Sequence, residues 1–384
     1  MGRYTIELIN IIKRYRLDFR FSRWKQCLFI AENGLYPDGI CEMLLHQARH
    51  DAKVIEDQGN FLWRPPEESE LYAEGRPDIE LGTLIEADPL LRCGIRLKDR
   101  PRNLLVVGGA GGGKSVLCRK ICVEIDLLNQ RYPKRKITLL IIIDPKSEYG
   151  DLKFKLKGKV KIYSPHYNLR FGLNGPADVP PSVWIGQLTM SIAARIGLIV
   201  SRTCLAAIIM RLLVSLNPGL HIKDLEDASV AKDLTWPPLK IVLEIAKKKE
   251  ILEVYSSKGD YGKTLIQALD GLLYDSGSLF DCCNGLDINK EIIEAKSHCI
   301  FNVSNTPSYI THLITDIAIN QVMVRKLYLN YKCDHTDEIF LIDECDLLVE
   351  SDVAHFSDGM SPLDKLHRLG RELGLMSIVS ISGI

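Results

Sequence analysis

The sequence has no surplus of either charge: 49 lysines and arginines meet 49 aspartates and glutamates over 384 residues. A whole-chain basic footprint for nucleic acid is therefore absent. Any contact with a polyanion has to come from a local patch or from a surface assembled from several copies. There are no paired C-x-x-C motifs and no Cys/His array; the eleven cysteines are scattered, with Cys118 and Cys122 four apart and Cys282 beside Cys283. This excludes a disulfide framework, argues against a structural zinc site and points to a reducing, cytoplasmic compartment. No signal-peptide pattern opens the chain, and no apolar run is long and uninterrupted. The most apolar stretch, residues 190–216, is broken by Arg195, Arg202 and Arg211, as in buried or amphipathic helices rather than a membrane span. Repeats and low-complexity tracts are missing too, and a composition 46% hydrophobic and 26% charged is that of a globular chain.

What charge there is lies unevenly. The opening segment carries Arg3, Lys13, Arg14, Arg16, Arg20, Arg23 and Lys25 against Glu7 and Asp18, with Tyr15, Phe19, Phe21 and Trp24 between them. It is either a basic amphipathic surface for DNA, lipid or a partner subunit, or a solvated helix face. Residues 1–75 read as a small helical or mixed N-terminal region, closed by the polar, proline-containing stretch 63–78. Residues 76–179 read as the first part of an α/β core, with buried strands at Asn103–Val107 and in KITLLIIID and a short strand in VKIYSP. Residues 180–270 turn helical, with the proline pairs at 180–181 and 237–238 as starts and breaks. They form a helical insertion or long crossover connections. In residues 271–384 the core resumes, with strands in SHCIFNVS, EIFLIDE and LMSIVSIS and helices between them. This alternation implies a mostly parallel sheet.

Gly108, Gly109, Ala110, Gly111, Gly112, Gly113, Lys114 and Ser115 match G-x-x-x-x-G-K-S, with Val116 continuing into the next helix. Glycines let backbone N–H groups turn inward around phosphate oxygens, and the helix that follows adds its positive end. Lys114 is placed to reach the β- and γ-phosphates, and Ser115 to ligate Mg²⁺ through its hydroxyl. The combination of preceding strand, loop and following helix predicts an ATP site in a P-loop NTPase core.

EIFLIDECDLL sets Asp343 and Glu344 at the carboxyl end of an apolar strand, the end that faces the crevice in a parallel sheet. Asp343 suits the Mg²⁺ shell, and Glu344 suits a general base for the attacking water. Asp144, which ends LIIID, is the alternative acidic metal position; with Lys146 and Glu148 it either lines the crevice or forms a polar turn started by Pro145. Arg371 and Arg368, just ahead of the last strand, are candidates for an arginine finger, with Arg325 a weaker choice; each is also a plausible surface arginine.

Taken together, the stretches PDIELG, GGAGGGKS, IIIDPKSEYG, LIDE and GRELGLMSIVSIS give residues 77–382 a likeness. The chain resembles the HerA/FtsK superfamily of P-loop ATPases, particularly the HerA-like and TraD-like conjugative-coupling branch. The resemblance implies a RecA-like core and a hexameric ring of identical subunits that moves double-stranded DNA using ATP and Mg²⁺ bound at subunit interfaces. It also implies Lys114 and Ser115 in the Walker A roles, Asp343 and Glu344 in the Walker B roles, Arg371 as the arginine of the final R-x-x-G segment, and residues 180–270 as a coupling-protein insertion. Family members commonly end the last strand in a glutamine, where this chain has Ser382, which implies altered sensing of the γ-phosphate. The chain also stops where the family's core continues, implying truncation or a sheet edge supplied otherwise. The expected function is ATP hydrolysis coupled to DNA translocation or remodelling. The alternatives are an ATP-dependent switch acting on a protein partner, such as an accessory nuclease or a secretion component, and a nucleotide-stabilised scaffold that does not hydrolyse.

Overall fold

Apolar runs of five or six residues cannot leave their backbone groups unpaired once buried, and here they pair with one another in a single parallel sheet. The computed structural model describes residues 2–20, 22–57, 77–84, 91–96, 103–132, 138–198, 201–248, 261–333, 335–345 and 360–382. Most of the polar stretch 63–78 expected to close the N-terminal region lies outside them. The chain divides into two units, Met1–Ile95 and Arg96–Ile384.

In the first unit, α1 (Arg3–Arg14), α2 (Leu17–Arg20), α3 (Ser22–Glu32) and α4 (Asp38–Asp57) gather around Leu8, Ile12, Leu17, Trp24, Cys41 and Leu45. Strands β1 (Ile79–Leu84) and β2 (Leu91–Ile95) pair antiparallel. Part of the basic opening segment is spent inside this unit: Lys13 pairs with Glu32 at 2.7 Å, and Arg23 pairs with Asp51. Asp51, 7% exposed, also accepts the indole N–H of Trp24 at 2.8 Å.

The second unit opens with β3 (Leu104–Gly108), α5 (Lys114–Arg131), β4 (Leu139–Asp144), the single turn α6 (Leu152–Lys155) and β5 (Val160–Tyr163). A helical run follows: α7 (Pro181–Arg195), α8 (Arg202–Leu216), α9 (Leu239–Ala246) and α10 (Tyr261–Ser276). The chain then returns through β6 (His298–Asn302), α11 (Ser308–Tyr328), β7 (Glu338–Ile342), α12 (Pro362–Leu369) and β8 (Leu375–Ser382). The six strands pair in the order β3-β8-β7-β4-β6-β5, and every pair is parallel. Residues alternate between faces along a strand. Ile141, Ile143, Phe301, Phe340 and Ile342 accordingly share one core with the helices of residues 181–276 and with α11. Leu140, Ile142, Ile339 and Leu341 point the other way and are equally buried, so the sheet is covered on both faces. One charge pair is sunk in the helical layer: Arg195 of α7 meets Asp316 of α11 at 2.7 Å, with side chains 6% and 2% exposed. Among the described residues, no helix is long and apolar enough to cross a membrane.

Candidate nucleotide site

Parallel strands deliver their carboxyl ends to one rim of the sheet, so residues far apart in sequence meet there. Gly108 ends β3 opposite Ser382 of β8, and Ile342 of β7 sits opposite Val379 of β8 and Ile143 of β4. The loop after β3, the Asp-Glu pair after β7 and the turn after β4 therefore share one rim.

The loop bends back on itself through a Gly112 N–H to Gly109 carbonyl bond of 3.0 Å. Gly111 and Gly113 adopt φ of +74° and +81°, the left-handed region in which a side chain is strained. A Cβ at Gly112 would stand 3.0 Å from the Gly109 carbonyl oxygen, so a side chain there requires the loop backbone to give by a few tenths of an ångström. Lys114 opens α5, and its Nζ lies over the loop, donating to the carbonyls of Gly108 at 2.9 Å and Gly109 at 3.2 Å. The Ser115 hydroxyl stands 3.5 Å from Asp343 Oδ2. Adjacent oxygen ligands of one octahedral Mg²⁺ stand about 3 Å apart, so this pair fits a shared cation with a small adjustment. Val116 is exposed on the rim. The concave loop, the ammonium and the hydroxyl–carboxylate pair together fit a nucleoside triphosphate with Mg²⁺.

Asp343 is 1% exposed. Its Oδ1 takes the Ser380 hydroxyl of β8 and the N–H of Glu344 at 3.1 Å. Glu344 itself has φ of +52° and is held in that costly conformation by its N–H to Ser380 Oγ, at 3.1 Å. Its Oε1 accepts from Lys146 Nζ at 2.5 Å and from Ser382 Oγ at 2.8 Å. Burial alone would push the Glu344 carboxyl up. The hydrogen bonds from Lys146 and Ser382, with the charges of Lys146 and Lys114, outweigh it and hold the group below the usual range. The hydrogen bond to Glu344 likewise raises the Lys146 ammonium.

Asp144 reaches the same rim, fully buried, and each of its oxygens accepts one N–H of the turn after β4. Oδ1 takes the N–H of Glu148 and Oδ2 that of Tyr149, each at 3.0 Å. Burial pushes its carboxyl up, the charge of Asp343 adds to this, and the turn N–H groups oppose it. Of the two sequence readings, the polar turn is thus the one whose hydrogen bonds are in place. Glu148 and Lys146 extend from that turn, exposed. Beneath the loop, burial, reinforced by the negative charge of Asp343, pushes the Cys118 thiol up to about 11, so it is not a nucleophile at neutral pH.

The candidate arginines are not brought to this rim. Arg371 lies in the 3₁₀ turn Gly370–Leu373, before the amino end of β8, while the P-loop stands at its carboxyl end. An eight-residue strand spans roughly 25 Å. Arg368 lies in α12, ahead of the same end. Arg325 is occupied by Asp178 at 2.7 Å and Glu294 at 2.9 Å, a role within the fold.

The sequence reading missed Ser380. Its signal is a hydroxyl recurring in an otherwise apolar buried strand, LMSIVSIS, beside the Asp-Glu strand. Also missed was a cavity of about 140 Å³ lined by Asp343, Glu344, Pro145, Thr306, Thr311 and His312, which gives Glu344 room for several waters. At the opposite rim, Cys333, His335 and Asp337 bring possible ligand atoms within 4.8 Å of one another. There Asp337 is already held by Lys326 at 3.1 Å and Tyr331 at 2.5 Å.

The family described as Helicase HerA, central domain, matches residues 79–322, more than half of the chain. Among solved structures, the chain is similar to VirB4 of Thermoanaerobacter pseudethanolicus, with 17% identity over 80% of this chain and 77% of that one and a TM-score of 0.55. It is also similar to the bacterial conjugative coupling protein TrwBdeltaN70 in its unbound monoclinic form, with 15% identity over 83% and 69% of the two chains and a TM-score of 0.51. The plasmid coupling protein TrwB in complex with ADP and Mg²⁺ gives 14% identity over 83% and 71%, again with a TM-score of 0.51. At these identities the likeness shows a shared fold. No curated protein matches the chain.

Proposed function

The chain belongs to the family described as Helicase HerA, central domain, and from that premise we propose that it is an ATPase that couples hydrolysis to the translocation or remodelling of double-stranded DNA as a ring of identical subunits, in the cytoplasm. The observation that carries the ATPase reading is the meeting of Ser115 with Asp343, 228 positions apart in sequence, at the mouth of a glycine loop.

In this reading the inward N–H groups of residues 109–115 and the Lys114 ammonium bind and orient the phosphates. Ser115 and Asp343 hold Mg²⁺, which when bound neutralises charge on the phosphate oxygens. Ser380 fixes Asp343 and the backbone of Glu344, so that the Glu344 carboxylate can take a proton from the attacking water. Arg371, remote from its own site, serves the site of a neighbouring copy. TrwB binds ADP and Mg²⁺ on the same fold, which supports the choice of ligand. DNA as substrate and the ring rest on the family. One observation favours the alternative of a switch acting on a protein partner. Ser382, where family members commonly carry glutamine, is spent on Glu344 at 2.8 Å.

Steady-state ATP hydrolysis with and without long double-stranded DNA, with oligomeric state checked in the same buffer, separates the two. Stimulation by DNA in an assembled ring supports the motor. Glu344-dependent hydrolysis that no DNA alters, together with nucleotide-dependent binding of a protein partner, moves the reading to the switch.

A further inference from the structure

The two bonds that hold Asp337 both fall on one of its oxygens. Oδ2 accepts from Lys326 Nζ at 3.1 Å and from the Tyr331 hydroxyl at 2.5 Å, while Oδ1 faces His335 Nε2 at 3.0 Å. The other ring nitrogen, Nδ1, stands 3.3 Å from Cys333 Sγ. A thiol, an imidazole and a carboxylate thus meet at alternate positions, C-x-H-x-D, of the short connection between α11 and β7. That spacing escapes a search for paired C-x-x-C motifs, on which the expectation of no structural zinc site rests.

The connection is held in place independently of the three side chains. The Cys333 N–H donates to the Glu372 carbonyl at 3.1 Å, and the Asp337 N–H to the Gly374 carbonyl at 2.7 Å. Gly374 has φ of +69°, and a Cβ there would come within 2.9 Å of the His335 carbonyl oxygen and 3.0 Å of Cys333 Cβ, so the close approach needs glycine. Charge points the same way. Asp337 and Glu338, 1% and 2% exposed, share the Lys326 ammonium at 3.1 and 2.6 Å. Two buried carboxylates on one ammonium leave a place for a further positive charge beside Oδ1.

We propose that Cys333, His335 and Asp337 bind Zn²⁺, with water as the fourth ligand. Thiolate, imidazole and carboxylate are the ligand types of that ion, and its bond lengths set neighbouring ligand atoms about 3.3–3.6 Å apart. The two contacts of His335, at 3.3 and 3.0 Å, are close to that spacing. Because the ring lies between its partners, it turns to aim one nitrogen at the shared ion. Its side chain is 33% exposed, which leaves room to turn and a path for the ion. The thiol proton leaves to solvent as the Zn–S bond forms. Lys326 and Tyr331, bonded to Oδ2, orient the carboxylate from behind. The ion braces the connection against the 3₁₀ turn that carries Arg371. None of these groups belongs to the nucleotide site, so metal binding here is independent of the ATPase reading.

The reduced full chain is titrated with Co²⁺ as an optical stand-in for Zn²⁺, with Mg²⁺ in excess to fill sites made of oxygen alone. The expected result is a thiolate-to-cobalt absorption band that saturates at about one equivalent and is displaced by Zn²⁺. Cys333→Ser abolishes the band. His335→Gln weakens Zn²⁺ binding about tenfold or more in competition with a chromophoric chelator, and Tyr331→Phe weakens it about 10–100-fold while leaving the band in place. Zn²⁺ also raises the melting temperature of wild type and not that of Cys333→Ser, whose far-UV circular dichroism without metal should match wild type. No band in wild type, a band of undiminished size in Cys333→Ser, or a Zn²⁺ affinity unchanged by His335→Gln overturns the site and leaves a Cys–His–Asp contact group without a metal. If Cys333→Ser fails to fold, the Zn²⁺ affinities of His335→Gln and Tyr331→Phe decide between the same two results.

Discussion

Replacing Asp144 by alanine separates a turn organiser from a metal ligand. The carboxylate is fully buried and takes two N–H groups at 3.0 Å, one of them from the buried Tyr149. A buried donor left without a partner costs about 1–3 kcal/mol. The Tyr149 N–H bears that cost in full, whereas the N–H of the exposed Glu148 can turn partly to water. Against this, the variant removes a carboxylate that is penalised by burial and repelled by Asp343. The net loss comes to about 2 kcal/mol, which for a unit of this size lowers the melting temperature by roughly 4–8 °C. Thermal unfolding followed by far-UV circular dichroism measures it. In parallel, the Mg²⁺ concentration for half-maximal turnover should stay within about twofold of wild type in Asp144→Asn, and rise about tenfold or more in Asp343→Asn, which loses a charged ligand. An unchanged melting temperature in Asp144→Ala, combined with a Mg²⁺ requirement shifted as far in Asp144→Asn as in Asp343→Asn, would refute the reasoning and make Asp144 a ligand.

Lys114→Ala removes the ammonium over the loop and should weaken nucleotide binding by about a hundredfold, read by titration with a fluorescent ATP analogue. Arg195→Ala leaves the buried Asp316 carboxyl without its partner in the helical layer and should cost about 3–5 kcal/mol in urea unfolding, whereas Arg195→Met with Asp316→Leu should recover most of it. In the first unit, burial would raise the Asp51 carboxyl, but bonds from Trp24 and Arg23 outweigh it and leave the group lowered. A depressed carboxyl stabilises above its unfolded value of about 3.9 and stops doing so as pH falls through the folded value. Stability of the unit should therefore fall below about pH 4, and Asp51→Asn should flatten that acid limb, as followed by urea unfolding across pH.

Much of the second unit was legible because its signals are local. Short, isoleucine-rich apolar runs such as LLIIID fit strands covered on both faces, and G-x-x-x-x-G-K-S between a strand and a helix has few other physical uses. Asp343 and Glu344 were legible because they end such a run. The rest depended on neighbours that sequence does not order. β8 lies between the P-loop strand and the Asp-Glu strand, so its serines contact Asp343 and Glu344 across 37 and 38 positions. The recurring hydroxyls of LMSIVSIS can be seen in the sequence, but the carboxylates they meet cannot, because strand order decides them. The two readings of Asp144 could be weighed only once the N–H groups of Glu148 and Tyr149 were seen to bond its two oxygens. The position of Arg371 at the far rim follows from strand direction, a property of the whole sheet.

The central claim is that the glycine loop, Asp343 and Glu344 form one hydrolytic Mg²⁺–ATP site, and the most direct measurement pairs nucleotide affinity with single-turnover phosphate release in wild type and Glu344→Gln. The account predicts that the variant binds ATP with Mg²⁺ at least as tightly as wild type and releases phosphate about 10²–10⁴-fold more slowly, the range for loss of a general base. Equal release rates in the two proteins would contradict it.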